Sequence, residues 1–213
     1  MKHEQEVKEL LINNAIQLIA EGGFEKATTK ELTYCNGNLP DFRMNEVYIY
    51  RFFGSKEQLY ESAFSKLDTQ LVFAFHQGVS AVGGFGEHAS LRLYEFFLRA
   101  WRFVLSNEAY FRCYVRYYYS VYFKGSALEG HQKRFSAMLR ELAPIFRQDA
   151  DTNAILHSVF TTMLDFAVRV YNGELEDNEI NRQHIFNILY CMMSSYIKNP
   201  ENHTSSIFSL KSV

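Results

Sequence analysis

Apolar residues recur at spacings of three and four along almost the whole 213-residue chain, and glycine, proline and capping residues cut the runs. The pattern predicts an all-α fold of about nine helices. Val7, Leu11, Ala15, Leu18 and Ile19 form the first apolar row, which Gly22-Gly23 ends. Thr28-Thr29-Lys30-Glu31 reads as a capping box opening a short second helix that ends near Asn36-Gly37. Pro40 keeps 38–42 out of any helix, Asn45 is placed to cap a brief aromatic stretch over 46–53, and Gly54 stops that stretch. Ser55-Lys56-Glu57-Gln58 is a second capping box, and it opens a long helix with Leu59, Ala63, Phe64, Leu67 and Leu71 on one side. Gly78, Gly83, Gly84 and Gly86 mark a hinge. Helices are expected at about 90–105, 108–123, 127–148, 152–172 and 181–198, followed by a polar tail over 199–213.

Charge and cysteine usage narrow the function classes. Lys and Arg number 22 against 24 Asp and Glu, so any attraction to nucleic acid or anionic lipid is local rather than global. Cys35, Cys113 and Cys191 are odd in number and far apart, which argues against a disulfide framework or a structural zinc site and for a reducing, cytoplasmic setting. Cys113 and Cys191 sit in apolar helices and are expected to be buried and inert, whereas Cys35 lies near a turn. The longest uncharged stretch, 69–86, carries four glycines, so no membrane span is expected.

Three short helices divided by tight turns, with a fourth opening on its own cap, are the layout of a helix-turn-helix reader. The run Ile19-Ala20-Glu21-Gly22-Gly23-Phe24-Glu25-Lys26-Ala27-Thr28-Thr29, followed by Ile49-Tyr50-Arg51-Phe52-Phe53-Gly54-Ser55-Lys56-Glu57-Gln58-Leu59, resembles the signature of the tetracycline-repressor (TetR) family of bacterial regulators. The match covers about residues 7–67. It implies a DNA-binding domain over 1–55, a ligand-binding and dimerisation domain over 56–198, and a repressor that leaves a pseudo-palindromic operator when an unknown small molecule binds. It further implies that Thr28 or Thr29 and Lys30 face phosphate, that Asn45, Glu46, Tyr48, Tyr50 and Arg51 enter the major groove, and that Lys56 caps the site. The residue chemistry is consistent with those roles: hydroxyls at 28, 29 and 55 sit at helix starts, Lys30, Arg43, Arg51 and Lys56 supply charge, and Tyr48 and Tyr50 can meet phosphate or thymine methyls. Ile49, Phe52 and Phe53 read as core.

The chain departs from that pattern in three places. The turn between Gly37 and Met44 is about six residues longer than usual, Glu46 puts a carboxylate at the DNA face, and residues 1–66 hold eight Lys and Arg against ten Asp and Glu. These features favour the alternative, a TetR-like ligand- or protein-binding module that has lost DNA binding. Ion pairs of Arg43 or Arg51 with Asp41 or Glu46 would support that alternative.

The C-terminal helices carry wide apolar surfaces, with Ile155, Val159 and Phe166 on one and Ile185, Leu189, Met192 and Tyr196 on the other, which suits a homodimer interface or the centre of a monomer core. Trp101, Tyr114, Tyr117, Tyr118 and Tyr122 either line a ligand pocket or fill the core. Arg112, Arg116 and Ser120 form a stripe that faces water or holds an anionic ligand. The seven histidines show no metal-ligand spacing, and no nucleophile elbow, phosphate loop or dinucleotide fingerprint occurs, so neither cofactor nor catalysis is expected.

Overall fold

The structure, a computed structural model, describes residues 2–35, 42–81 and 89–198. Nine α-helices lie among the described residues, as the periodicity predicts. The first, α1 (Lys2–Lys26), is broken at Gly23, whose φ of 75° is a left-handed conformation that costs glycine little. Next comes α2 (Thr29–Leu32), capped by the Thr28 hydroxyl, which accepts from the Glu31 amide at 3.2 Å. Only this half of the expected capping box is used for the purpose, since the Thr28 amide donates instead to the Lys26 carbonyl at 2.8 Å.

The second helix is shorter than expected. In place of a continuation toward Asn36-Gly37, β1 (Tyr34–Cys35) pairs antiparallel with β2 (Phe42–Arg43), Tyr34 opposite Arg43 and Cys35 opposite Phe42. The segment after α2 is thus drawn out into a two-stranded ribbon. Residues 36–41 of the long loop, three of the four hinge glycines (Gly83, Gly84 and Gly86) and the tail over 199–213 lie outside the described residues.

After Met44, which is buried, α3 (Val47–Phe53) ends at Gly54 with φ 83°. The long α4 (Lys56–Ala81) starts from the Ser55 hydroxyl, which accepts from the Gln58 amide at 3.2 Å. Its first turn is further anchored by Glu57, whose carboxyl is held below its usual range by its own backbone amide and the Ser55 hydroxyl. Gly78 falls inside α4 rather than in a turn. Then follow α5 (Ala89–Leu105), α6 (Glu108–Tyr118), α7 (Ser126–Leu142), α8 (Thr152–Tyr171) and α9 (Glu179–Ser194).

Three helices, α6, α7 and α9, stop earlier than their apolar spacing predicts, α9 at Ser194 rather than 198. At the end of α6 the Ser120 hydroxyl donates to the Tyr117 carbonyl at 2.7 Å and accepts from the Tyr122 amide at 3.1 Å, so a side chain takes over the backbone partners that would continue the helix. Gly125, with φ 53°, completes the turn. Pro144 ends α7 at Leu142, leaving only a 3₁₀ turn over Ala143–Ile145.

Contacts divide the chain into two compact units, Met1–Leu71 with Asn107–Arg134, and Val72–Ser106 with Phe135–Val213. The first unit is larger than a 1–55 module because α6 lies along α1, burying Leu11, Ala15, Ile16 and Ile19 completely. Arg116 of α6 donates to the Ile19 carbonyl at 2.9 Å, close to the break at Gly23, and Arg112 pairs with Glu108 one turn before it. The stripe of Arg112, Arg116 and Ser120 is therefore engaged within the chain.

At the centre of this unit lies a group the sequence gives no reason to single out. Asp68 of α4 is wholly buried, and its carboxylate accepts from Arg134 Nε at 2.5 Å and meets His131 Nδ1 at 3.0 Å, both from α7. Tyr114 of α6 is buried beside the cluster, and burial, followed by the charge of Asp68, holds its phenol well above the ordinary range. Around it Phe64 stacks on Tyr117 (4.6 Å between centroids) and Phe123 lies tilted against Tyr118 (4.5 Å). A second aromatic group joins Phe24 to Tyr122 (4.8 Å) and Tyr60, whose hydroxyl donates to the Ala27 carbonyl at 2.6 Å.

In the second unit α5, α8 and α9 pack on one another. Trp101 is buried and donates to Asp177 at 2.9 Å, and the Tyr171 hydroxyl donates to the Val104 carbonyl at 2.6 Å. The inner rows are Ile155, Leu156, Met163, Leu164 and Ala167 on α8, and Ile185, Phe186, Leu189 and Met193 on α9. Of the two cysteines expected to be buried, Cys113 is, and burial lifts its thiol to about 12. Cys191 is exposed, because the inward row of α9 runs through 189 and 193 and leaves 191 on the other side. Among the described residues no helix is long and apolar enough to cross a membrane, and no group of three or more His, Cys, Asp or Glu is placed to hold a metal ion.

Removing one partner of a buried ion pair leaves the other charge uncompensated, at a cost near the lower end of the usual range where that partner keeps water contact, as Arg134 does. Asp68→Ala is therefore expected to lower unfolding free energy by about 3 kcal/mol in chemical denaturation.

Candidate nucleic-acid interface

The expected reader residues fall on three short elements of the first unit. Thr28 is exposed at the start of α2, with Thr29 half-buried and Lys30 exposed in the first turn. Arg43 is placed by its backbone in β2, and its side chain lies outside the described residues. Asn45 is exposed and its side-chain oxygen accepts from the Val47 amide at 2.9 Å, so it caps α3 from one residue earlier than the helix boundary suggests.

Orientation on α3 is set by Ile49, which is fully buried and turns the opposite side of this seven-residue helix to solvent. Val47 is 61% exposed, Tyr50 is 54% exposed and Arg51 is exposed as well. Tyr48 is half-buried and stacks on Phe52, with centroids 5.5 Å apart and planes nearly parallel. Glu46 is half-buried. Lys56 lies with Nζ 5.8 Å from the centre of the Tyr60 ring. Ile49 is core as expected, while Phe52 and Phe53 are only half-buried. Val47 escaped the sequence reading because an isolated valine gives no sign of which side of a short helix it occupies.

Several cations of this region are individually engaged. Arg51 Nη2 donates to Glu4 Oε1 of α1 at 2.8 Å and its guanidinium lies 5.5 Å from the Phe52 ring. Lys8 sits 5.2 Å from the same ring, Lys26 pairs with Glu21 at 2.5 Å, and Lys66 pairs with Glu9 at 2.7 Å and donates to Asn13 at 2.9 Å. Arg51 thus pairs with an acid 47 positions earlier rather than with Glu46, and the pair is exposed rather than buried.

The other two residue groups divide differently from expectation. Tyr114, Tyr117, Tyr118 and Tyr122 come together in the first unit, the first two buried and the last two half-buried, while Trp101 belongs to the second unit. Of the helix residues expected at an interface, Ile155, Ile185 and Leu189 are buried within the second unit itself. Val159, Phe166 and Met192 are half-buried and Tyr196 is 40% exposed, and Ile180 and Ile188 add exposed apolar surface.

No protein-family model matches the chain, and no curated protein matches it in sequence. Solved structures do match it in fold. A TetR-family transcription regulator from Marinobacter aquaeolei VT8 aligns with a TM-score of 0.70 over 90% of this chain and 98% of its own, at 14% identity. The chain has the fold of the TetR-family transcription regulators. A structure from Shewanella sp. PV-4 assigned to that family aligns at 0.67 over 90% of this chain and 98% of its own, at 16% identity. The fatty-acid regulator FadR from Bacillus subtilis, solved in complex with stearoyl-CoA, aligns at 0.57 over 85% of this chain and 96% of its own, at 14% identity. The ribbon of β1 and β2 stands between α2 and α3, the two helices expected to form the reader.

Proposed function

We propose that the chain is a ligand-responsive, DNA-binding transcription regulator, a repressor that binds a pseudo-palindromic operator as a homodimer in the cytoplasm, and not an enzyme. The observation that carries this reading is the face of α3. A buried Ile49 and the Asn45 cap fix a short helix whose exposed side offers Val47, Tyr50 and Arg51, a combination that suits base edges and phosphates in a major groove. Thr28, Thr29 and Lys30 at the start of α2 supply the phosphate contacts that set register.

The half-buried Val159 and Phe166 of α8, with Met192 and Ile188 of α9 and Tyr196 just beyond it, are the proposed dimer surface. A helix-turn-helix reader gains a defined half-site spacing only when two copies are held together. Tyr118 and Tyr122 retain surface with which to meet an effector, whereas Tyr114, Tyr117 and Trp101 are consumed in packing. An effector acts by binding one arrangement of the reader more tightly than another.

The alternative, a TetR fold that no longer reads DNA, draws on the acidic balance of residues 1–66. The exposed Arg51–Glu4 pair weighs against it, since surface ion pairs contribute about 0–1 kcal/mol and a phosphate can displace the carboxylate.

Two measurements test the proposal. Arg51→Ala is expected to weaken binding across duplex sequences and to lower the slope of log affinity against log salt by about one, as one lost phosphate contact requires; unchanged affinity removes Arg51 from the interface. In sedimentation velocity the wild-type chain is expected to run as a dimer and the Phe166→Glu, Met192→Glu variant as a monomer; a wild-type monomer at micromolar concentration overturns the dimer.

A further inference from the structure

Arg51 is an exposed cation on the outward face of α3, yet its guanidinium is already met by a carboxylate from a different helix, Glu4 Oε1 at 2.8 Å. The geometry is that of a charge-assisted contact to one oxygen, which a DNA phosphate oxygen would make in the same way. Glu4 belongs to the first turn of α1 and is 47% exposed, so it too lies on the surface rather than in the core. The neighbouring acids repeat the theme, with Glu9 on Lys66 and Glu21 on Lys26.

We propose that the Glu4 carboxylate occupies, in the free protein, the place at Arg51 that a DNA phosphate takes in the complex, and so restrains DNA affinity. The inference rests on the regulator reading and adds an autoinhibitory contact to it. On binding, the phosphate displaces Glu4 from Arg51, and breaking that pair is the cost that lowers affinity. An exposed ion pair is weak enough to be exchanged in this way, so the contact tunes affinity and does not abolish it. It also gives the net acidity of residues 1–66 a role, because acids placed on α1 lower the non-specific attraction that a bare basic reader would have.

The test is fluorescence anisotropy of a labelled random-sequence duplex, titrated with salt, for the full-length wild-type, Glu4→Gln, Arg51→Ala and Glu4→Gln/Arg51→Ala proteins. Glu4→Gln is expected to bind about fivefold more tightly at low salt, the factor that loss of a weak surface pair allows, with the salt slope unchanged because Arg51 meets one phosphate in both proteins. In the Arg51→Ala background the same change should have no effect. Unchanged or weaker binding by Glu4→Gln overturns the inference, as does a gain that persists without Arg51, which would reflect net charge alone. Absence of binding by every protein at low salt overturns the regulator reading and this inference with it, whereas binding that Glu4→Gln leaves unaltered overturns this inference only.

Discussion

A fully buried carboxylate is tolerable only where cations and donors meet it, and Asp68 sets that condition for the first unit. Its two oxygens are taken by Arg134 and His131 of α7, with the Tyr114 phenol of α6 buried close enough for the Asp68 charge to raise it. The helices α4 and α7 are thereby held in one register, because displacing either would leave a charge without partners in an aromatic surround. Hydrophobic packing of Phe64, Tyr117, Tyr118 and Phe123 supplies area but little direction, and the ion cluster supplies the direction. The helix α3 leads through Gly54 into α4, the helix on which Asp68 sits.

Much of the helical fold was legible because its boundaries are local chemistry. Gly23 and Gly54 adopt positive φ, and Thr28 and Ser55 cap the helices that follow them, each within a few residues of the element it controls. The misses share an opposite character. The ribbon of Tyr34–Cys35 with Phe42–Arg43 depends on pairing across a loop and has strands too short for alternation to register. The end of α6 at Tyr118 runs against an unbroken aromatic periodicity and is decided by one hydroxyl, that of Ser120.

The candidate site was legible in outline and not in its electrostatics. Helical spacing and the TetR resemblance pointed to Asn45, Tyr50 and Arg51, and the structure places all three exposed at or on α3. Resemblance could not reveal that Arg51 faces Glu4, nor that Asp68 faces His131 and Arg134, since these partners lie 47, 63 and 66 positions apart. Likewise the apolar rows of α8 and α9 announced two buried surfaces without saying which row turns inward. Ile155, Ile185 and Leu189 serve the unit's own core, and the outer surface passes to Val159, Phe166 and Met192.

The central claim is that α2 and α3 read DNA sequence, and a selection from a pool of random duplexes, with the bound fraction sequenced over successive rounds, tests it most directly. The account predicts enrichment of a pseudo-palindrome whose half-sites lie about one helical turn, roughly 10 base pairs, or a multiple of it apart. A pool that stays random through rounds in which the protein is folded and dimeric would contradict it.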